Sequence, residues 1–293
     1  MRSVAPSRRT RTAAAVTAAT ALLTTAAGLG AGPASAADTA IDRYVALGDS
    51  YASGAGVPDQ TDSACTRSSR NYPALLNTAL SPSVHRDVTC GGATTVHMTT
   101  AQNPSAPPQF DALSADTDLV TLTIGGNDVG FAGIIVRCVS LGVFNLGGSP
   151  CRGSYTWTGT DRLAATVDAT APRIAATLDG IRQRAPRARI LVTGYPAILP
   201  DDGTNCPWVA TIAKGDAPWL RDIHKRLNTV IAAQAAAHGA VYVDTYAKSV
   251  GHDVCKPAGT RWMEPLLTDA AAPFHPNAAG EKAMADAVLA AVR

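Results

Sequence analysis

The chain has 293 residues, with 25 Lys and Arg against 23 Asp and Glu, so its net charge is only +2. Such a balance is close to neutral, so the net charge implies no acidic membrane surface as a partner, and we expect no nucleic-acid partner. The length suits one sizeable domain or two small ones.

The first 36 residues read as a leader. Met1 to Arg11 contain four arginines and no acid, and an apolar run from Ala13 to Leu29 follows. This run precedes Ala34-Ser35-Ala36, a small-residue cleavage site. We predict a secretory signal peptide over residues 1–36 and a single mature domain over 37–293. Loss of the four arginines takes the net charge to −2. A retained N-terminal anchor is the alternative, and the route, general or twin-arginine export, is left open.

Short apolar runs rich in β-branched residues predict the strands of the mature chain. Each is bounded by Gly, Pro or Asp, and the nearly continuous apolar character is typical of strands covered on both faces. The runs are 44–47, 119–124, 190–193 and 240–243, with a weaker candidate at 84–89.

Helical stripes lie between these strands. Apolar residues at a 3.6-residue period predict helices over 163–181 and 220–231, and an Ala-rich segment predicts a C-terminal helix over 278–292. Strands that alternate with helices indicate an α/β fold, a three-layer α/β/α sandwich around a mainly parallel sheet. The Gly- and Pro-rich segments 139–159 and 200–218 are predicted to be ordered loops that shape a substrate site.

Six cysteines remain in the predicted mature chain. An even number in an exported protein indicates three disulfides, for which fifteen pairings are possible. We favour sequential pairing because each bond then closes a modest loop outside the predicted strands: Cys65–Cys90, Cys138–Cys151 and Cys206–Cys255. A metal site is the alternative, but no Cys-x-x-Cys pair is present, and we predict no metal.

Polar and glycine motifs follow the predicted strands. Gly48-Asp49-Ser50 ends the first strand, Gly91-Gly92 follows the second, Gly125-Gly126-Asn127-Asp128 follows the third, and His275 lies near the C-terminus. Each has an ordinary explanation, namely a helix cap, a turn glycine or a structural histidine. Together they fall where ligands of open α/β sheets bind, at the carboxyl ends of the strands.

With these four blocks in this order, the chain resembles the SGNH, or GDSL-type, hydrolase family, and more narrowly the secreted lipases and esterases of filamentous actinobacteria. The blocks are Gly48–Tyr51 in the form GDSY, Gly92, Gly125–Asp128 and His275–Asn277. The resemblance covers essentially all of the mature chain, including the cysteine spacing. No Gly-x-Ser-x-Gly elbow is present, so the α/β-hydrolase superfamily is a poorer match.

The resemblance implies a role for each block. Ser50 is the expected nucleophile, and His275 is the expected general base and then acid. The backbone N–H groups of Ser50 and Gly92 and the side-chain amide of Asn127 are the expected oxyanion hole. The implied substrate is a small-molecule or lipid ester, with no cofactor, no stable membrane anchor and a monomeric protein.

One position departs from the family pattern. The acid three residues before the histidine is replaced by Ala272. We expect a main-chain carbonyl, that of Pro273 or Ala272, to orient His275, as the actinobacterial group does. Asp269 is a less favoured carboxylate candidate.

Three functions are consistent with the sequence. A lipid carboxylester hydrolase is favoured, a carbohydrate acetylesterase with the same Ser–His site is the alternative, and a binding module with a relic site is disfavoured because every matched position is intact. The four tryptophans, at positions 157, 208, 219 and 262, either line an acyl groove or are buried by packing.

Overall fold

Seven strands are present in the computed structural model, which describes residues 41–293 apart from the side chains of residues 208 and 209. They are β1 (Arg43–Gly48), β2 (Gln60–Asp62), β3 (Arg67–Ser68), β4 (Val84–Asp87), β5 (Leu119–Thr123), β6 (Arg189–Thr193) and β7 (Val241–Val243). Five of them form one parallel sheet in the order β4-β1-β5-β6-β7, whereas β2 and β3 form a small antiparallel pair. The predicted signal peptide lies outside the described residues.

Eleven α-helices accompany the strands in this part of the chain. They are α1 (Ser50–Ser53), α2 (Tyr72–Leu80), α3 (Gly126–Val129), α4 (Phe131–Phe144), α5 (Pro150–Thr156), α6 (Arg162–Asp168), α7 (Ala171–Arg184), α8 (Pro207–Ala210), α9 (Ala217–Ala237), α10 (Tyr246–Ser249) and α11 (Ala278–Val292). Two short 3₁₀ helices, Thr95–Met98 and Gln109–Ala112, precede β5.

Helices cover both faces of the sheet. Side chains alternate between faces along a strand, so Tyr44 and Ala46 of β1 pack with residues of α2 and α11. Val45 and Leu47 point the other way and pack with residues of α4, α6, α7 and α9. The predicted three-layer α/β/α sandwich is therefore confirmed. The bounds of β1, β5, β6 and β7 lie within one residue of the predicted runs, and β4 ends two residues before its run does.

The stripe predicted as one helix over 163–181 is divided between two. α6 ends at Asp168 and α7 begins at Ala171, because Pro172 has no N–H and its ring collides with the carbonyl four residues earlier. The five apolar residues of the stripe are nevertheless buried as predicted: Leu163, Val167, Ile174, Leu178 and Ile181.

The two predicted loops are partly helical, so that prediction was wrong for part of each segment. Helix α4 continues to Phe144 and α5 occupies 150–156, while α8 and the start of α9 fall within 200–218. Some of the glycine and proline residues that suggested loops lie in helices. A Cβ at Gly142 would lie 2.4 Å from the Thr211 carbonyl oxygen, and Pro150 stands at the first position of α5.

Three disulfides join Cys65 to Cys90, Cys138 to Cys151 and Cys206 to Cys255, which is the sequential pairing. The second links α4 to α5, and the third links the segment before α8 to the one after α10. All three lie outside the central sheet. No helix within residues 41–293 combines the length and apolar character needed to cross a membrane.

Candidate active site

Ser50 lies directly after the carboxyl end of β1, as the first residue of α1. Gly48, which ends β1, has φ +147°, and a Cβ there would approach the Thr123 carbonyl oxygen to 2.7 Å. Asp49 caps α1 by accepting a hydrogen bond from the Tyr51 N–H at 3.0 Å. Glycine therefore permits the tight passage from strand to helix that brings Ser50 to the ligand-binding edge of the sheet.

The imidazole of His275 lies between the Ser50 hydroxyl and a main-chain carbonyl. Its Nε2 is 2.7 Å from Ser50 Oγ, and its Nδ1 is 2.8 Å from the carbonyl oxygen of Pro273. Because a carbonyl only accepts, Nδ1 carries the proton and Nε2 is free to accept from the serine. The Ala272 carbonyl instead accepts the backbone N–H of His275. Asp269 is exposed, and within residues 41–293 its side chain forms no hydrogen bond with the imidazole.

Two aromatic rings flank His275. The Tyr51 ring centroid is 4.8 Å from that of the imidazole, and Phe131 approaches edge-on at 5.9 Å. The Tyr51 hydroxyl donates to the carbonyl of Phe274 at 2.6 Å, which anchors the residue next to the histidine. Burial among these groups lowers the pKa of His275, although the Pro273 carbonyl partly opposes this. The neutral imidazole that a general base requires is thereby favoured.

The segment that carries His275 is held by Glu264, a residue that is not among the sequence-predicted site residues. Glu264 is 2% exposed, and its backbone N–H donates to the His275 carbonyl at 2.9 Å. Its carboxylate accepts from three side chains: Arg261 at 2.8 Å, Asn277 at 2.7 Å and Thr268 at 2.6 Å. Burial alone favours the neutral carboxyl, but these hydrogen bonds outweigh it and lower the pKa of Glu264. No sequence motif marks this residue.

The three expected oxyanion donors follow three neighbouring strands, β1, β4 and β5. Gly92 has φ +78°, a conformation that favours glycine. Asn127 donates one Nδ2 hydrogen to the Ala93 carbonyl at 2.9 Å and keeps the other. Within the described part of the chain, the backbone N–H groups of Ser50 and Gly92 have no acceptor. All three groups can therefore still donate a hydrogen bond.

The loop that carries Gly92 is fixed from two sides. On one side, the Gly91 N–H donates to the Cys65 carbonyl at 2.7 Å, and Gln102 donates to the Gly91 carbonyl at 2.7 Å. On the other, the buried carboxylate of Asp128 accepts from the N–H of Thr95 at 3.0 Å and from its hydroxyl at 2.5 Å. The loop after Gly92 is thus hydrogen-bonded to the third sequence block.

A pocket with mostly apolar walls opens beside Ser50 and Asn127. Its cavity volume, measured as space for water-sized spheres, is about 80 Å³. Its walls come from α3, α4, α6 and α9 and include Phe131, Ile135 and Leu227. Such a cavity suits the hydrocarbon part of a ligand, since burial of each CH₂ contributes about 0.8 kcal/mol.

Asp49 and Tyr195 connect the first block to the third beneath this pocket. The Tyr195 hydroxyl donates to Asp49 at 2.6 Å and accepts the Gly126 N–H at 2.8 Å. Asp49 is 1% exposed, and burial raises its pKa to about 7, although the hydrogen bonds from Tyr195 and Tyr51 partly oppose this. In the sequence, Asp49 is recognisable only as part of the first block, and no motif marks Tyr195.

Gln109 is a third supporting residue that the sequence did not indicate. Its side-chain amide accepts the Gly48 N–H at 2.7 Å and donates to the Gly48 carbonyl at 2.9 Å. This pair of hydrogen bonds fixes the end of β1 immediately before Ser50. Gln109 is 3% exposed and lies in a short 3₁₀ helix. Its role follows only from its contact with Gly48, which is distant in sequence.

The other candidate residues do not join the site. None of the tryptophan side chains described, at 157, 219 and 262, lines the pocket. Trp219 is buried and donates to Asp161 at 2.6 Å, and Trp262 stacks on His252 with ring centroids 3.7 Å apart. No group of three or more His, Cys, Asp or Glu side chains in the described residues is placed to hold a metal ion.

Comparison with known proteins identifies the family. Residues 46–283 match the GDSL-like Lipase/Acylhydrolase family, and the chain belongs to it. The match includes all four sequence blocks. The protein is a carboxylester hydrolase, as the sequence predicted.

Individual relatives agree with this assignment. The chain is 45% identical over 262 residues to Lipase 2 of Streptomyces coelicolor, covering 87% of each sequence. Its fold is similar to that of phospholipase A1 from Streptomyces albidoflavus, with a TM-score of 0.72 and 32% identity over 86% of this chain and 99% of that one. The extracellular lipase of Streptomyces rimosus gives a TM-score of 0.71 and 29% identity, covering 85% and 99%.

Proposed function

We propose that the protein is a secreted lipase or esterase that hydrolyses acyl esters of lipids through an acyl-enzyme on Ser50. The observation that carries the proposal is the 2.7 Å contact between Ser50 Oγ and His275 Nε2 at the opening of an apolar pocket. Nucleophile, base and a place for the acyl chain thus adjoin one another.

Acylation begins when His275 Nε2 takes the Ser50 proton and Oγ attacks the ester carbonyl. The tetrahedral intermediate carries a negative oxygen, which the N–H groups of Ser50 and Gly92 and the amide of Asn127 stabilise. Loss of one such donor typically costs 10²–10³ in turnover. The imidazolium then protonates the leaving alcohol, and water hydrolyses the acyl-enzyme with His275 again as base.

The Pro273 carbonyl holds His275 in the reactive tautomer by accepting from Nδ1 at 2.8 Å. It provides a partial charge where a triad aspartate provides a full one, so the imidazolium is stabilised less. The catalytic unit proposed is therefore a Ser50–His275 dyad, oriented by the main chain, with no cofactor and no metal.

The pocket supports a lipid rather than an acetyl substrate. Its walls are apolar over a length contributed by four helices, whereas an acetyl group needs space for a single methyl. The names of the relatives, lipase and phospholipase A1, agree with this choice. The carbohydrate acetylesterase alternative has no specific observation in its favour.

Secretion is part of the same proposal. Cleavage after Ala36 releases a mature, monomeric chain that begins at Ala37, and three disulfides suit an oxidising exterior. N-terminal sequencing of protein collected from the medium of an expressing culture should begin at Ala37. Retention of residues 1–36 would contradict the cleavage.

Ser50→Ala should fold normally and lose at least about 10³ of its kcat on a soluble ester, because the nucleophile is absent. Ser53→Ala, the same change one turn further along α1, serves as control and should retain activity within about fivefold. A fluorophosphonate should label the wild type at Ser50 and leave Ser50→Ala unlabelled. Wild-type turnover in Ser50→Ala would reject the nucleophile assignment.

A series of p-nitrophenyl esters of increasing acyl length tests the substrate class. We expect kcat/KM to rise from acetate toward medium and long chains, because each added CH₂ enters the apolar pocket. The gain should disappear once the chain exceeds the pocket. Strong preference for acetate over all longer chains would exclude the lipid assignment and favour the acetylesterase.

A further inference from the structure

Exposed apolar side chains are concentrated on α4 and the segment that follows it. Of the nine large apolar side chains exposed within residues 41–293, five lie between residues 136 and 157: Val136, Val143, Phe144, Leu146 and Trp157. We call these five side chains the apolar surface. Phe144 is 89% exposed and Trp157 is 73% exposed. Single exposed apolar residues are ordinary, whereas such a concentration marks an interaction surface.

The apolar surface is continuous with the catalytic pocket. Ile135 of α4 lines the pocket, Val139 is half-buried, and Val143 is exposed. Residues four apart lie on one face of a helix, so these three form a single ridge that leads from the pocket to solvent. An acyl chain that arrives at the apolar surface therefore reaches the pocket without crossing polar groups on this ridge.

Positive charge borders the apolar surface. No Asp or Glu occurs between residues 131 and 160, and four cationic side chains lie in or beside this segment: Arg137, Arg152, Arg162 and Lys214. The Lys214 N–H donates to the Leu146 carbonyl at 2.7 Å, and the Arg162 guanidinium lies 5.6 Å from the Trp157 ring. Two acids close to this segment, Asp161 and Asp216, accept hydrogen bonds from Trp219 and from the backbone of α5, respectively.

We propose that the apolar surface inserts into an anionic lipid surface and so delivers aggregated lipid to the pocket, an inference that rests on the proposed ester hydrolysis. Helices that lie in a membrane interface combine apolar side chains with Lys and Arg, and Trp prefers this depth. Each Lys or Arg near an anionic lipid surface adds to the attraction. The combination of exposed aromatics with a cationic border matches headgroup phosphates above acyl chains.

Binding can be measured apart from catalysis in the Ser50→Ala protein. It should cosediment with vesicles of equal phosphatidylglycerol and phosphatidylcholine at least tenfold more than with phosphatidylcholine alone, and 0.5 M salt should reduce this binding. Adding Phe144→Ser and Trp157→Ser to the Ser50→Ala protein should lower its binding to the anionic vesicles at least tenfold. As a matched pair, Val143→Ser should weaken binding severalfold, while Val241→Ser, at the amino end of β7, should not.

The charge requirement has its own variant. Arg152→Gln with Lys214→Gln should lower binding to the anionic vesicles at least fivefold and flatten its salt dependence. Binding to phosphatidylcholine vesicles should stay unchanged. Equal loss on both vesicle types would contradict the electrostatic part of the proposal.

Activity separates this proposal from the proposed function. With Ser50 intact, the Phe144→Ser, Trp157→Ser enzyme should hydrolyse a soluble short-chain ester within twofold of wild type and vesicle lipid at least tenfold more slowly. Unchanged vesicle hydrolysis would overturn the surface assignment, whereas absence of soluble-ester hydrolysis in the wild type would overturn the proposed function. A dimer that Phe144→Ser dissociates in sedimentation velocity would assign the surface to a second copy of the chain instead.

Discussion

Two kinds of group support the Ser50–His275 pair, a main-chain carbonyl and a buried carboxyl. A neutral carbonyl, that of Pro273, contacts Nδ1 of His275. The buried carboxyl of Asp49, the residue directly before Ser50, caps α1. Asp49 does not contact the imidazole; its partners are the Tyr51 N–H and the Tyr195 hydroxyl. Its charge state therefore affects chiefly the stability of the site.

Asp49→Asn should remove a pH dependence of stability. Because burial raises the pKa of folded Asp49 to about 7, from 3.8 when unfolded, the folded state holds this proton more tightly. The associated stability is fully present below pH 3.8 and is lost as the pH rises through 7. As the pH rises from 5 to 8, loss of the Asp49 proton should lower the unfolding free energy of the wild type by about 2–3 kcal/mol. Urea unfolding at both pH values should show that fall reduced in Asp49→Asn.

Asp269→Asn is the matched control for this measurement, because Asp269 is exposed. Its stability should follow the wild-type pH dependence, and its turnover should lie within twofold of wild type if the Pro273 carbonyl orients His275. A large loss of turnover in a folded Asp269→Asn protein would assign that role to Asp269. An equal fall in stability for Asp49→Asn and wild type would show that Asp49 is not the group that titrates.

Among the elements, the segment between α10 and α11 depends most on one side chain. The Glu264 carboxylate, within this segment, accepts from Asn277 at its end, and Asn277 in turn caps α11 through the N–H groups of Ala279 and Gly280. The carboxylate thus links the position of His275 to the beginning of the last helix. Glu264 acts through other groups, so it is a positioning residue.

Glu264→Gln should lower the unfolding free energy by about 1–3 kcal/mol, because the amide turns a donor toward donor groups and leaves buried hydrogen bonds unmade. Displacement of His275 should lower kcat severalfold while KM stays nearly constant. Chemical unfolding and steady-state kinetics on a soluble ester measure the two effects.

Glu281→Gln, the same substitution on α11, is its control. Burial raises the pKa of Glu281 well above its usual value, which favours the neutral carboxyl, and an amide is the closest neutral replacement. The hydrogen bond that its side chain accepts from the Tyr72 N–H at 2.8 Å can persist. Similar destabilisation in both variants would show that the charge of Glu264 is unimportant.

The elements also show how far sequence reasoning extends. Strands and the stripe of α9 were predictable because their apolar periodicity is local. The four chemical blocks were found because they recur in a family. Glu264, Gln109 and Tyr195 were not, since each is defined by contacts with residues distant in sequence. The helical part of 139–156 was missed because Gly142 and Pro150, which suggest a loop locally, serve packing and helix initiation here.

At the scale of the whole molecule, the disulfides join helices and loops that lie outside the central sheet. Cys138–Cys151 joins two helices beside the pocket and spans 13 residues, whereas Cys206–Cys255 spans 49. Cys138, Cys151 and Cys206 are buried, and Cys255 is half-buried. The two bonds differ chiefly in the length of the loop that each closes.

Removal of the Cys206–Cys255 bond by paired serine substitutions should destabilise the protein more than removal of Cys138–Cys151. Loop-closure entropy predicts about 4 kcal/mol for the longer loop and about 3 kcal/mol for the shorter. Chemical unfolding under non-reducing conditions measures both.

The effect on catalysis should be larger for the Cys138–Cys151 bond, because α4 supplies Phe131 and Ile135 to the pocket wall. Cys138→Ser with Cys151→Ser should weaken selectivity for long acyl chains, and Cys206→Ser with Cys255→Ser should preserve it. Greater destabilisation from the shorter loop would mean that packing of α4 against α5, rather than chain entropy, determines what these bonds contribute.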